Sequence, residues 1–69
     1  MTIDEAKQLS MQTGQKISHR FFLPEEWIQV FPNETVKTED ARYYPVAWEW
    51  FMEQRRSAAW SRDWSIWNG

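Results

Sequence analysis

The spacing of apolar residues predicts a helix near the start of the chain. Ile3, Ala6 and Leu9 fall on one face at helical spacing. Thr2 and Glu5 have the spacing of a capping box, in which each residue's side chain bonds the other's backbone N–H. Gly14 supplies the residue type that most often ends a helix. We therefore expect a helix over about residues 3–12.

Alternating positions predict three short strands after this helix. In the first, over residues 16–22, alternation places Ile17, His19 and Phe21 on one face and Phe22 on the other. A break at Leu23-Pro24 follows, because proline cannot donate to a strand ladder. The aromatic and β-branched composition then predicts two further strands, at residues 27–31 and, shorter, at residues 36–38.

A second helix is predicted over residues 46–55. Pro45 suits the first turn of a helix, where its missing N–H is not needed, and good helix formers follow it. The expected apolar face consists of Trp48, Phe51 and Met52. This arrangement leaves Trp50 off that face and available for contact.

The last segment fits two patterns. Trp60, Trp64 and Trp67 stand at i, i+4 and i+7, as in a helix, while residues 64–67 also read as a terminal strand. We favour the strand, because the short first strands need a partner to complete a sheet. The sequence therefore predicts a single α+β domain over residues 1–69, with two helices and a small antiparallel sheet of three to five strands.

Length and composition narrow the function classes. A chain of 69 residues without cysteine buries a small core, so self-association as a dimer or tetramer is the expected stabilising device. The net charge of −2 disfavours binding to polymeric nucleic acid, although residues 55–69 are locally basic. The start lacks a secretory pattern and no stretch is long enough to span a membrane, so we expect a cytoplasmic protein.

The residues for catalysis are poorly placed. His19, the single histidine, lies inside a predicted strand and lacks a recognisable nucleophile partner. One histidine and no cysteine do not make a metal site, and two glycines do not make a phosphate loop. We therefore expect no enzymatic activity, no cofactor and no metal, and we rank an enzyme acting on a nucleotide last.

Six tryptophans and several arginines favour binding instead. A core this small does not enclose six indoles, so some are expected at a ligand pocket or a subunit interface. Aromatic faces beside guanidinium groups suit a nucleotide, and they equally suit a protein interface. The candidate ligand-binding residues are Arg20, Phe21, Phe22, Trp27, Trp50, Arg55, Arg56, Trp60, Arg62, Asp63 and Trp64.

Both ends of the chain resemble a family of small phage proteins, the second type of Thoeris anti-defence sponge and related domains of unknown function. Residues 2–6 and 14–20 look like that family's opening helix and first strand. Residues 62–66, with the pair Asp63-Trp64, look like its terminal strand. The middle departs from the pattern, since residues 21–27 stand where many members have Gly-Trp-Asn-Gly.

The resemblance implies an oligomeric protein that binds cyclic nucleotide immune signals without cleaving them. Such signals include cyclic ADP-ribose isomers and cyclic oligonucleotides, and their sequestration starves a defence effector. By position, Arg20, Phe21 and Phe22 would replace the family's aromatic after the first strand. The alternative is an acidic protein-binding inhibitor of a host enzyme or defence protein, which uses exposed tryptophans as anchors.

Overall fold

A computed structural model describes residues 1–40 and 45–69 and confirms the α+β class. The elements are α1 (Ile3–Thr13), β1 (Ile17–His19), β2 (Ile28–Val30), β3 (Thr35–Thr38), β4 (Val46–Ala47), α2 (Trp48–Glu53), a 3₁₀ helix (Ala58–Ser61) and β5 (Trp64–Ile66). None of the helices in these two ranges combines the length and hydropathy needed to cross a membrane.

Local interactions define α1 at both ends. The Thr2 hydroxyl accepts from the backbone N–H of Glu5, and the Glu5 carboxylate accepts from the backbone N–H of Thr2. Gly14 adopts a left-handed conformation with φ of 75°, and its N–H donates to the carbonyl of Ser10. Both predicted caps are confirmed, and the helix runs one residue beyond the predicted end.

Five strands form one antiparallel sheet in the order β4-β3-β2-β1-β5. The last strand returns to pair with the first, so that Ile17 lies opposite Ile66 and His19 opposite Trp64. This pairing confirms the predicted terminal strand. Consequently, chain segments more than 40 residues apart meet at one end of the sheet.

The first strand is shorter than predicted. It ends at His19, because the N–H of Phe22 donates to the His19 carbonyl and turns the chain. The predicted alternation is therefore wrong beyond His19: Phe21 is 55% exposed, whereas Phe22 packs against the core. Phe21 instead joins the exposed turn that leads to Leu23.

The second helix is also shorter than the predicted 46–55. Val46 pairs with Val36 in the sheet, so Val46 and Ala47 form β4 and the helix begins at Trp48. The β-branched Val46 suits this half-buried strand position. The predicted orientation holds, since Phe51 is buried and Trp50 is 61% exposed.

The core lies between α1 and one face of the sheet. Its buried apolar residues are Ala6, Ile17, Ile28, Val30, Val36, Phe51 and Trp64. Ser10 of α1 is also buried, and its hydroxyl donates to the Gln15 carbonyl and accepts from the Val30 N–H. Trp64 is the one indole in this set; Trp27, Trp48, Trp60 and Trp67 are half-buried and Trp50 is exposed. As expected, the core does not enclose all six.

Candidate ligand-binding site

His19 is the centre of an aromatic cluster at the end of β1. Its ring centroid lies 4.3 Å from that of Trp60 and 5.0 Å from that of Trp64. Phe21 and Phe22 contact the same ring edge-on. The structure thus brings together four predicted site residues, Phe21, Phe22, Trp60 and Trp64. We call these four residues and His19 the His19 cluster.

Both ring nitrogens of His19 have backbone partners. Nδ1 accepts from the N–H of Phe21 at 3.1 Å, which assigns the proton to Nε2. Nε2 then donates toward the carbonyls of Ala59, at 3.0 Å, and Arg62, at 2.8 Å. The histidine is 4% exposed and ties the turn after β1 to the segment before β5. Its hydrogen-bonding capacity is therefore used within the fold.

Trp64 is part of the core. It is 2% exposed, and its indole N–H donates to the Trp60 carbonyl at 2.8 Å. Trp60 packs edge-to-face against Phe21, with ring centroids 5.2 Å apart. Within the His19 cluster, the accessible ring surface therefore belongs mainly to Phe21 and, in part, to Trp60.

Charged predicted residues border this cluster. The N–H of Arg20 donates to the Asp63 carbonyl, and the two side chains approach to 3.8 Å between Nη1 and Oδ2. Asp63 has a φ of 69°, which places it in the left-handed region just before β5. Arg62 is exposed, and its carbonyl accepts from His19. An exposed ion pair of this length stabilises little.

Arg55 connects the His19 cluster to α2. Its Cζ atom lies 4.0 Å from the Phe51 ring centroid and 5.5 Å from that of Trp60. Nη1 donates to the Phe51 carbonyl at 2.8 Å, whereas Nε is buried without a hydrogen-bond partner among the described residues. Burial lowers the pKa of Arg55, and the nearby Glu26 carboxylate opposes that shift. The guanidinium remains a cation at neutral pH.

An open cavity of about 390 Å³ lies beside α2. Its lining residues are Trp48, Glu49, Met52, Arg55 and Arg56. A smaller cavity of about 200 Å³ adjoins it across Trp48 and Glu49, and also contacts Glu34 and Ala47. We call the two together the α2 groove. No carboxylate oxygen of residues 1–40 or 45–69 lies within ion-pair distance of Arg55 or Arg56.

Two predicted site residues lie elsewhere. Trp27 packs near Trp67, with ring centroids 6.0 Å apart, and the Lys16 ammonium lies 4.3 Å from the Trp27 ring. The indole N–H of Trp67 donates to the Pro24 carbonyl, which fixes the end of the chain on this loop. Trp50 projects from the outer side of α2.

Sequence reasoning missed five residues that line the α2 groove, Glu34, Ala47, Trp48, Glu49 and Met52. Trp48 and Met52 were assigned to the core face of α2, and the other three were not among the candidate residues. For Trp48, Glu49 and Met52, the spacing relative to Arg55 and Arg56 was the available signal, since positions three and four apart share a helix face. Because α2 is short and near the edge of the sheet, this face is only half-buried.

The described residues contain no group of three His, Asp or Glu side chains placed to hold a metal. Comparison of the chain with protein-family models, with curated proteins and with solved structures gives no match. Geometry and residue chemistry therefore define the class here: a small, single-sheet α+β domain with an arginine- and tryptophan-lined groove.

Proposed function

We propose that the protein binds a nucleotide in the α2 groove and sequesters it without converting it. The observation that carries this proposal is the convergence of Arg55, Arg56 and Trp48 on one open cavity. Its volume of about 390 Å³ falls in the range of small-molecule sites. The resemblance of the chain ends to phage sponges supports cyclic nucleotide immune signals as the ligand class.

Each side of the groove matches one part of such a ligand. The two guanidinium groups supply the paired donors that bind phosphate oxygens, and neither forms an ion pair with a carboxylate of the described residues. Trp48 offers an aromatic ring on which a base stacks. The Glu49 carboxylate can accept from a ribose hydroxyl or an exocyclic amine.

Sequestration without turnover fits the local chemistry. The one histidine in the chain has both nitrogens engaged by the backbone, so it is not presented to a ligand. The groove's own titratable groups are two glutamates and two arginines. Glu34 forms an ion pair with Lys7, and an arginine does not serve as a proton carrier at neutral pH. We therefore expect the protein to release the ligand chemically unchanged.

Calorimetric titration with cyclic ADP-ribose isomers and cyclic dinucleotides tests the proposal. We expect saturable binding to at least one of them, weakened about tenfold or more by Arg56→Gln, because one charge-assisted contact is lost. Arg62→Gln is the matched control, since Arg62 is exposed and does not line the groove. Mass spectrometry of the recovered ligand should find it unchanged.

Two results would count against nucleotide sequestration. One is the absence of binding across the whole panel, and the other is recovery of a cleaved product. Equal loss of affinity in Arg56→Gln and Arg62→Gln would move the site from the α2 groove to the border of the His19 cluster.

Exposed apolar residues favour a second candidate, a protein-binding inhibitor. Phe21 and Leu23 are 55% and 59% exposed on one turn, and large exposed apolar side chains often mark protein interfaces. A pull-down that recovers one stoichiometric host protein, lost with Leu23→Asp and kept with Arg56→Gln, would favour this function over nucleotide binding.

A further inference from the structure

One face of the sheet lacks a covering element among the described residues. Helix α1 packs against the face that carries the buried strand residues. Alternation directs the remaining strand side chains to the opposite face, which we call the open face. They are Ser18, Gln29, Thr35, Lys37, Ala47 and Ser65. No carboxylate occurs in this set.

The strand register places cationic and aromatic groups side by side on the open face. Gln29 pairs with Lys37, and extending the register of β1 brings Lys16 between Gln29 and Trp67. The Lys16 ammonium lies over the rings of Trp27 and Trp67, at 4.3 and 5.5 Å. Arg20 and Asp63 pair with each other at one border, and Glu39 follows β3. The centre of the face is therefore basic and aromatic, although the whole chain is acidic.

The outer side of α2 has the opposite character. Trp50 is 61% exposed, and Glu53 lies one helical turn further on. Glu49 is exposed as well, and residues 48–53 include no basic side chain. The two arginines that follow the helix line the cavity beside Trp48 and Met52. An exposed indole flanked by carboxylates is thus displayed on the same chain as a basic aromatic face.

We propose that α2 of one copy docks on the open face of the next. Trp50 would pack beside Trp27 and Trp67, while Glu53 would approach Lys16 and Lys37. We take a second copy of the chain as the partner, because each chain carries both the acidic helix surface and the basic open face that complements it. A standard interface buries about 800 Å² per partner, about a sixth of this chain's surface of 4925 Å².

The two surfaces of the proposed contact differ, and each copy carries both of them. Reciprocal docking of two copies gives a two-fold dimer, and docking of each copy on the next gives a closed ring or an open chain. The presence of both surfaces on one chain gives the proposal a specific signature. A copy with a damaged helix surface still offers an intact open face, and a copy with a damaged open face still offers an intact helix.

Sedimentation velocity over a concentration series tests the docking. The wild type should exceed the monomer mass of 8.4 kDa, whereas Lys37→Glu and Glu53→Lys should each weaken self-association by about tenfold or more. An equimolar mixture of these two variants should associate again, because the unchanged helix of the Lys37→Glu variant meets the unchanged open face of the Glu53→Lys variant. The double variant, which swaps the charges within one chain, should recover self-association. The control variants Gln12→Glu and Gln12→Lys, at an exposed position of α1, should behave as the wild type.

Three outcomes would overturn the docking. A wild type that stays monomeric at all concentrations excludes it, as does an oligomer that both charge variants leave unchanged. Disruption by each single variant without recovery in the mixture or the double variant would show that positions 37 and 53 do not face each other across the contact. Nucleotide affinity measured on the same samples reports separately on the α2 groove.

Discussion

The His19 cluster and the α2 groove contain the same kinds of residue but leave them in different states. In the cluster, His19 and Trp64 have every side-chain N–H or lone pair engaged by the backbone. In the groove, neither Arg55 nor Arg56 forms an ion pair with the described residues. The comparison teaches that a sequence cluster of aromatic and basic residues is the better candidate for a binding site where the fold leaves its charges without partners.

The largest expected effect falls on the His19 cluster. Trp64→Ala removes a buried indole from the core, and we expect a loss of about 3–5 kcal/mol in unfolding free energy. Trp50→Ala, at an exposed position, should change the stability of the monomer by less than about 0.5 kcal/mol. Urea denaturation of both variants at low protein concentration measures this contrast. Similar losses in the two would refute the assignment of Trp64 to the core.

A second, smaller loss should follow from the hydrogen bonds of His19. His19→Phe preserves a ring in the cluster but leaves the Phe21 N–H and two carbonyls without their partner. We expect a cost of about 2 kcal/mol in unfolding free energy. His19→Asn, which keeps an acceptor near the Nδ1 position, serves as the comparison for the Phe21 contact. Amide hydrogen exchange at Phe21 should accelerate in the Phe variant more than in the Asn variant.

In the α2 groove, a substitution should affect nucleotide binding more than it affects the unfolding free energy. Arg55→Met keeps an unbranched stem against Phe51. It removes the Nη1 hydrogen bond to the Phe51 carbonyl and also the buried Nε, which has no partner among the described residues. We expect the unfolding free energy to change by no more than about 1 kcal/mol, while nucleotide binding is lost. Thermal unfolding and calorimetry on one sample separate the two quantities. A large destabilisation with unchanged affinity would make Arg55 a structural residue.

The smallest expected effect lies at the start of α1, outside both the His19 cluster and the α2 groove. Hydrogen bonds from Thr2 lower the pKa of Glu5 in the folded protein. The associated stability is complete above the ordinary pKa of a glutamate and is lost as pH falls through the lower folded value. Glu5→Gln should therefore differ from the wild type slightly at neutral pH, and the difference should shrink in acid. Denaturation at several pH values checks the direction, and a difference that grows in acid would contradict it.

Much of the fold was predictable because it depends on neighbouring residues. The α1 caps rest on contacts three or four positions apart, and the strand composition located β2 and β3 to within one residue. The end of β1 was not predictable in this way. Phe21 and Phe22 continue the strand pattern in sequence, yet a turn hydrogen bond at His19 ends the strand before them.

The kind of candidate site was predictable from the sequence, whereas the residues that line it were predicted only in part. The pattern of arginines and aromatics identified Arg55 and Arg56, which line the groove, and also Trp64, which the fold buries. Trp48 was missed as a groove residue because helical spacing alone does not distinguish a buried face from a half-buried one. That distinction depends on what packs against the helix.

By itself, the sequence determined the α+β class and the first helix, since spacing and capping settle these locally. The last segment fitted either a helix or a strand, and its pairing with β1 decided for the strand. Only the tertiary structure decided which polar groups are satisfied. The two carbonyls that accept from His19 lie 40 and 43 residues away from it along the chain, and the return of β5 to β1 brings them to it. Long-range contacts of this kind are not encoded in any local pattern, and they separate the residues that hold the fold together from those that line the open α2 groove.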